Sequence, residues 1–176
     1  MKTFNYCPSC GSRDIEFDNV KMLSCKACSF VYFQNVAAAA GAMLEYEDKI
    51  VLVKRNREPA KGKLDLPGGF IDPKESVEDG LRREIREELR IELGKLIYVG
   101  SYPNVYKYKD VLYNTCDLFF YCKINALPAH FDNSEIEELV LVDPAEFPVE
   151  DIAFESTKAA LGKVNFMKIK HKLDIK

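Results

Sequence analysis

Residues 69–91 read GFIDPKESVEDGLRREIREELRI, and this stretch decides the fold. From Ser76 onward the apolar residues Val77, Leu81, Ile85 and Leu89 recur every four positions, which draws one buried stripe down a helix. Ser76 suits the N-cap, with Asp79 at the reciprocal position of an imperfect capping box. At 100° per residue, Glu84, Glu87 and Glu88 stand at i, i+3 and i+4 and so share one face. Two roles compete for that face. It can be a solvated surface on which Arg83 and Arg86 pair with the acids, at about 0.3–0.5 kcal/mol per pair. It can also be a set of hard oxygen ligands for a divalent cation, the kind of ion that neutralises a diphosphate and activates water. The segment LPGGF just upstream favours the second role, because glycine lets backbone approach a ligand closely.

Counting from Gly69 gives five residues, Glu75, seven residues, then Arg83-Glu84-Ile85-x-Glu87-Glu88-x-Arg90-Ile91. This resembles the Nudix box, G-x5-E-x7-R-E-U-x-E-E-x-G-U with U aliphatic, and eight of the nine defined positions match. The resemblance implies a Nudix hydrolase of the α/β (α+β) class, a mixed β-sheet sandwiched between helices. It implies catalytic Mg²⁺ or Mn²⁺ held by Glu84, Glu87 and Glu88, one of which acts as the general base or orients it. Arg83 would fix a carboxylate through its planar fork, Glu75 would be an accessory acid, and Gly68 or Gly69 would lend a carbonyl. Within that family the base varies and can sit on a distant loop. Here Glu135 in NSEIEEL is the leading distant candidate, with Glu137 and Glu138 behind it; the same loop also reads as a plain solvated turn. The departure is Arg90, where the box has glycine. Either Arg90 adopts the left-handed conformation at a cost of roughly 1 kcal/mol, or the helix runs on toward Gly94.

A second motif precedes the helix. Cys7-Pro-Ser-Cys10 and Cys25-Lys-Ala-Cys28 are two CxxC knuckles separated by fourteen residues. Four thiolates so spaced fit tetrahedral zinc, and the pattern resembles a zinc ribbon. Disulfides and a redox pair fit less well, given two pairs and a reducing compartment. So small a module needs the metal because its core is too small to hold it together. Cys116 and Cys122, in the aromatic run NTCDLFFYC, read as buried thiols.

Between and beyond these motifs, AAAAGAMLEYEDKIVLVKR reads as two strands joined by a turn at EYED, and NREPAKGKLDLPGG as a long loop. KLIYVGSY, VLYNTCDLFFYCKI and EELVLV have strand composition, SEIEE is an acidic connector, and a last helix falls within ESTKAALGKV. The tail NFMKIKHKLDIK is basic and carries no clear pattern. The expected division is a zinc ribbon over 1–35 and a Nudix domain over 36–176. A chain of 176 residues with 47% hydrophobic and 30% charged residues can bury a real core. Its net charge of −3 disfavours extended nucleic-acid binding. No apolar run reaches the roughly 18–20 residues of a membrane span. The N-terminus shows no signal peptide, so a cytoplasmic location is expected.

A zinc ribbon ahead of a Nudix domain resembles the NADH pyrophosphatase family, whose members hydrolyse NAD(H) and in some cases remove NAD caps from RNA. Three features depart from it. The family's SQPWPFP signature is replaced by SYPNVYK, in a chain without tryptophan. A YPR-type motif after the ribbon is replaced by Phe33-Gln34-Asn35, and the family's additional N-terminal domain has no counterpart before Cys7. The expected substrate is therefore a small nucleoside diphosphate linked to another moiety, with NAD(H) or ADP-ribose first. Tyr102, Tyr106, Tyr108 and Lys107 are the candidate substrate contacts, since aromatic rings stack on bases for about 1–3 kcal/mol each. A non-catalytic nucleotide sensor and an RNA-cap hydrolase are the alternatives. Enzymes of this type are commonly dimers, so the resemblance also implies a homodimer.

Overall fold

The computed structural model describes residues 4–18, 20–109 and 111–163; the basic tail from Asn165 lies outside them. The chain opens with a three-stranded antiparallel sheet of β1 (Ile15–Phe17), β2 (Met22–Cys25) and β3 (Val31–Phe33). Only Cys7, Leu23 and Cys25 are buried among the described residues up to Gln34. That is far too little apolar burial to order so many residues unaided.

A larger mixed sheet follows, in the order β10-β5-β4-β9-β8. Its strands are β4 (Ala37–Tyr46), β5 (Lys49–Arg55), β8 (Ile97–Tyr108), β9 (Val111–Lys123) and β10 (Ile136–Val142). β4 and β9 run parallel, and the other neighbours on this path are antiparallel. β4 and β5 form the hairpin expected at EYED. Glu47 and Asp48 have φ of 46° and 63°, both positive, as a two-residue type I′ turn requires.

The core follows from the period of two along each strand. Ala42, Leu44, Val51, Val53, Phe120 and Cys122 point to one face, against Leu81, Ile85 and Leu89 of α1 (Val77–Leu89). Met43, Ile50, Leu52, Phe119 and Tyr121 point to the other, against Ala160 and Leu161 of α2 (Glu155–Lys163). The predicted helical stripe is thus the buried one: Leu81, Ile85 and Leu89 have no exposed surface, and each burial is worth about 1.5–3 kcal/mol. The mixed sheet between two helices is the architecture expected from the box. No described helix is long and apolar enough to cross a membrane.

Two expectations are corrected. The stretch read as one long loop contains β6 (Leu64–Asp65), paired with β5, and β7 (Gly68–Phe70), paired with β4. Long-range pairing overrides local turn composition there. SEIEE is not a connector throughout, because β10 begins at Ile136 and takes Glu137 and Glu138 into the sheet.

Arg90 resolves in favour of the first alternative. It has φ 58° and ψ 29° and ends α1 in the left-handed conformation, with its N–H donated to the Arg86 carbonyl. The chain beyond is tied back to the helix: Arg82 donates to the carbonyls of Leu93 and Gly94, and Arg86 grips the Glu92 carboxylate at 2.5 and 2.8 Å.

Candidate active site

Small residues open the site. Along β4 the alternate positions Ala37, Ala39 and Gly41 carry almost no side chain, and beside them lies a cavity of about 620 Å³. Parallel pairing sets Ala37, Ala39 and Gly41 opposite Thr115, Asp117 and Phe119 of β9. Antiparallel pairing sets Ala39 opposite Phe70 and Gly41 opposite Gly68 of β7. The alanine-rich tract therefore makes a floor, with β9 and β8 on one side and the glycine loop on the other. Glu84, Glu87 and Glu135 line the cavity, as do Tyr106, Tyr113 and Phe154.

The helix that carries the acids starts as predicted. The Ser76 hydroxyl accepts the Asp79 N–H at 3.1 Å and donates to the Asp79 carboxylate at 2.7 Å. Arg83 is the hub of the acidic face. Its guanidinium donates to Glu75 at 2.6 and 3.2 Å, to Glu84 at 2.8 Å, to Glu87 at 3.3 Å and to the Phe70 carbonyl at 3.1 Å. These bonds hold the Glu75 carboxyl below its ordinary range. Glu75 also accepts the Asp72 N–H at 2.6 Å, which fixes the turn into the helix. Glu75 thus positions Arg83 and is not among the residues lining the cavity.

Gly69 is placed by close approach. A Cβ on it would lie 2.5 Å from Cδ of Glu84, so a side chain there would displace that carboxylate. Gly68 has φ 139°, and a Cβ would lie 2.1 Å from the Ala40 carbonyl oxygen. Burial pushes Glu84 upward despite Arg83. Glu88 is buried, with its Oε2 accepting the Gly68 N–H at 2.9 Å. Desolvation, with repulsion from Glu135 and Glu84 added, pushes Glu88 up to about 8. The bland alternative of a solvated, salt-bridged surface therefore fits only Glu87, which is exposed.

The distant acids part at the start of β10, where its pairing with β5 is irregular between Ile136 and Glu138. Glu135 faces the cavity and is gripped by Arg57 at 2.6 Å. Its loop is clamped by Asn56, whose N–H donates to the Glu135 carbonyl and whose Nδ2 donates to the Asn133 carbonyl, both at 2.7 Å. Glu137 and Glu138 instead pair with Lys54 at 2.9 and 3.2 Å. Tyr106 and Tyr108 line the cavity. Tyr102 lies deeper, against the Phe119 ring at 6.0 Å, and Lys107 is exposed and not among the lining residues. Neither is among the lining residues: strand alternation sends 104, 106 and 108 to the cavity and 107 away, whereas Tyr102, of the same parity as the lining residues, packs on Phe119 instead.

Several lining residues went unpredicted. Asp117 and Asp65 sit inside strands, and Arg55, Asn104, Thr115, Phe154 and Thr157 surround them. Asp65 accepts from Arg55 at 3.3 Å, Thr157 at 2.9 Å and its neighbour's Leu66 N–H at 2.9 Å. Burial outweighs these partners and pushes its carboxyl up to about 6. One signal was present in the sequence: Asp117 is the lone charge in the mainly apolar and aromatic run VLYNTCDLFFYC.

In the small sheet, the sulfurs of Cys7, Cys10, Cys25 and Cys28 all lie within 4.8 Å of one another. The two knuckles repeat one geometry. Gly11 and Ser29, each following a second cysteine, have φ of 73° and 60°. Each donates its N–H back to the first cysteine's carbonyl, at 2.9 and 3.0 Å. Such a set could hold one tetrahedral metal ion. Among the described residues it is the one group of three or more His, Cys, Asp or Glu ligand atoms gathered that closely. Cys122 is buried as expected and its thiol is pushed up by burial, whereas Cys116 is only half-buried.

Comparison with known proteins agrees with this geometry. Among curated proteins, the NAD-capped RNA hydrolase NudC of Pseudomonas fluorescens is 32% identical over 96 residues, 54% of this chain and 34% of that protein. The ADP-ribose pyrophosphatase of Methanocaldococcus jannaschii is 40% identical over 74 residues, 42% of this chain and 41% of that protein. The chain thus spans about a third to two fifths of the length of these relatives. Among solved structures, a NUDIX hydrolase from Nitrosomonas europaea aligns with a TM-score of 0.66 at 26% identity, covering 96% of this chain and 93% of its own. A MutT NUDIX hydrolase from Burkholderia pseudomallei aligns at 0.65 and 25% identity, covering 74% and 99%. The NUDIX domain model matches residues 35–163, a span holding the sheet, both helices and the acidic face, and on that ground the chain belongs to the NUDIX domain family.

Proposed function

We propose that the protein is a metal-dependent pyrophosphohydrolase that cleaves the diphosphate of a nucleoside diphosphate linked to another moiety, NAD(H) or ADP-ribose first. The observation that carries this reading is one cavity lined both by Glu84, Glu87 and Glu135 and by the rings of Tyr106, Tyr113 and Phe154. Such a shape suits a ligand with a charged middle and a planar end.

The donor set fits a hard divalent cation. It offers carboxylate oxygens on a rigid helix, beside a glycine backbone that leaves Glu84 room. Glu84, Glu87 and Glu88 would hold the ion, with a carbonyl of Gly68 or Gly69. When bound, Mg²⁺ or Mn²⁺ supplies charge neutralisation for the diphosphate oxygens and lowers the pKa of water. The protein's own residues do the rest. Arg83 restrains Glu84 and Glu87 at the cavity edge, and Glu75 holds Arg83. Glu135, held by Arg57, would take a proton from the attacking water. Tyr106, which meets Phe70 and Phe154 ring to ring at 5.3 and 5.6 Å, walls the planar end.

In the same reading the chain divides into a ribbon over 1–35 held by structural Zn²⁺ on Cys7, Cys10, Cys25 and Cys28, and a catalytic domain over 36–176. A panel of NADH, ADP-ribose, dinucleoside polyphosphates and nucleoside triphosphates with Mg²⁺ or Mn²⁺ tests the activity. The expected result is turnover of NADH or ADP-ribose, lost in Glu87→Gln and Glu88→Gln. Turnover of triphosphates alone removes the dinucleotide reading, and no turnover at all leaves a nucleotide sensor. A second reading, hydrolysis of the same dinucleotide as an RNA cap, draws on the likeness to proteins named NAD-capped RNA hydrolase. Comparing an NAD-capped oligonucleotide with free NAD decides between the two.

A further inference from the structure

The part of the cavity lined by Asn104, Thr115, Asp117 and Thr157 has a polar composition that the proposed chemistry does not use. Asp117 stands at the floor and receives three donors: the Thr115 hydroxyl at 2.6 Å, the Asn104 amide at 3.0 Å and the Ser156 hydroxyl at 2.6 Å. Beside it, the Thr157 hydroxyl is spent on Asp65, as is one Arg55 nitrogen. Every hydroxyl and amide donor of this cluster therefore points inward, to a carboxylate. What Asp117 and its three donors leave for a ligand is acceptors: lone pairs of Asp117, the Asn104 carbonyl oxygen and the Thr115 oxygen; on the Asp65 side, Arg55 Nη2 is the one buried side-chain nitrogen among the described residues left without a hydrogen-bond partner. Two carboxylates against one guanidinium also make this part unfavourable for a phosphate. The walls are flat and apolar, with the methyls of Ala37 and Ala39 below and Tyr106 and Phe154 alongside.

We propose that this part is a subsite for a planar heteroaromatic ring carrying an exocyclic NH₂ group, whose N–H bonds are accepted by Asp117 and Asn104. The ring lies over Ala37 and Ala39 beside Tyr106, and its amino edge meets the acceptor cluster. The amino group of adenine and the carboxamide of a nicotinamide ring share this chemistry. A hypoxanthine or a nicotinate presents an oxygen acceptor where the donor is needed, and two acceptors facing each other repel. The subsite deepens the proposed function, resting on it only for which part of the cavity takes the diphosphate.

The test is equilibrium binding by calorimetry to the zinc-loaded full-length protein, with two matched pairs: AMP against IMP, and nicotinamide mononucleotide against nicotinate mononucleotide. At least one amino or amide member is expected to bind about 10- to 100-fold more tightly than its partner, the size of a lost hydrogen bond to a charged group. Which pair shows the preference identifies the ring. Asp117→Asn, whose amide can donate to the substituted oxygen, is expected to narrow that preference to within about threefold. Because Asp117 gathers three donors, a second variant keeps the test independent of the folding of the first: Ala39→Leu, which fills the floor, is expected to weaken all four ligands at least about tenfold. Equal binding within both pairs, no binding of any of the four, a full preference in Asp117→Asn, or unchanged binding in Ala39→Leu each overturns the subsite. Preference without hydrolysis of any diphosphate upholds the subsite and removes the hydrolase reading; hydrolysis without preference does the reverse.

Discussion

Replacing Arg90 by glycine should make the protein more stable, and the structure gives the size of the effect. Arg90 sits at φ 58° with an exposed side chain, so a Cβ there meets the following carbonyl at a cost of roughly 1–2 kcal/mol. Arg90→Gly removes that cost. It also loosens the unfolded chain, which takes back about 0.4–1 kcal/mol. Hydrogen bonds from Ser134 chiefly hold Asp132 below its ordinary range, with the charge of Arg90 adding to them, and from an exposed side chain that addition is screened and contributes little. The net expectation is a gain of about 0.5–1 kcal/mol. The sharper comparison is with Arg90→Ala, which loses the same charge but keeps the Cβ. Glycine should exceed alanine by about 1 kcal/mol, or about 0.5 M in a urea midpoint at a slope near 2 kcal/mol/M. Hydrolytic activity of Arg90→Gly should stay within about twofold, since Arg90 lies outside the cavity. An alanine variant as stable as the glycine variant would refute the claim that Arg90 bears strain.

Three further outcomes follow from the site and the small sheet. Gly69→Ala places a methyl 2.5 Å from the Glu84 carboxyl carbon; steady-state kinetics should show kcat/KM lower by on the order of 10- to 100-fold, and an unchanged value would remove the close-approach role. Asp65 is an acid raised from about 3.9 when unfolded to about 6 when folded. Its native state therefore holds the extra proton, and the stability it contributes is full below pH 4 and lost as pH rises through 6. Relative to Asp65→Asn, wild type should lose up to about 3 kcal/mol between pH 4 and 7; a flat or rising difference in denaturant titrations contradicts the burial argument. Elemental analysis should find one zinc per chain. Chelating it should open residues 4–34 to proteolysis while the larger sheet keeps its cooperative unfolding, so an ordered ribbon in metal-free protein would show that the cysteines are not its support.

The helix at the centre of the fold was legible because its signals are local. The four-residue recurrence of Val77, Leu81, Ile85 and Leu89, the Ser76 cap and the shared face of Glu84, Glu87 and Glu88 all depend on near neighbours along one helix. The same holds for the paired knuckles around Cys7, Cys10, Cys25 and Cys28. The cavity obeys a different rule. Ala39 meets Asp117 only because β4 and β9 run parallel in one register, and a slip of one residue would turn both strands inside out. The irregular pairing of β10 with β5 between Ile136 and Glu138, in turn, leaves Glu135 at the cavity and gives both Glu137 and Glu138 to Lys54. Composition could not separate Tyr106 from Lys107, since both belong to one strand-forming run. The acidic helix, its glycine loop and the cysteine quartet are thus set by spacing along the chain and can be read there. Which acids face a ligand, that an alanine tract becomes a floor, and that Asp117 and Asp65 lie beside it are outcomes of pairing between strands far apart in sequence, and no local spacing encodes them.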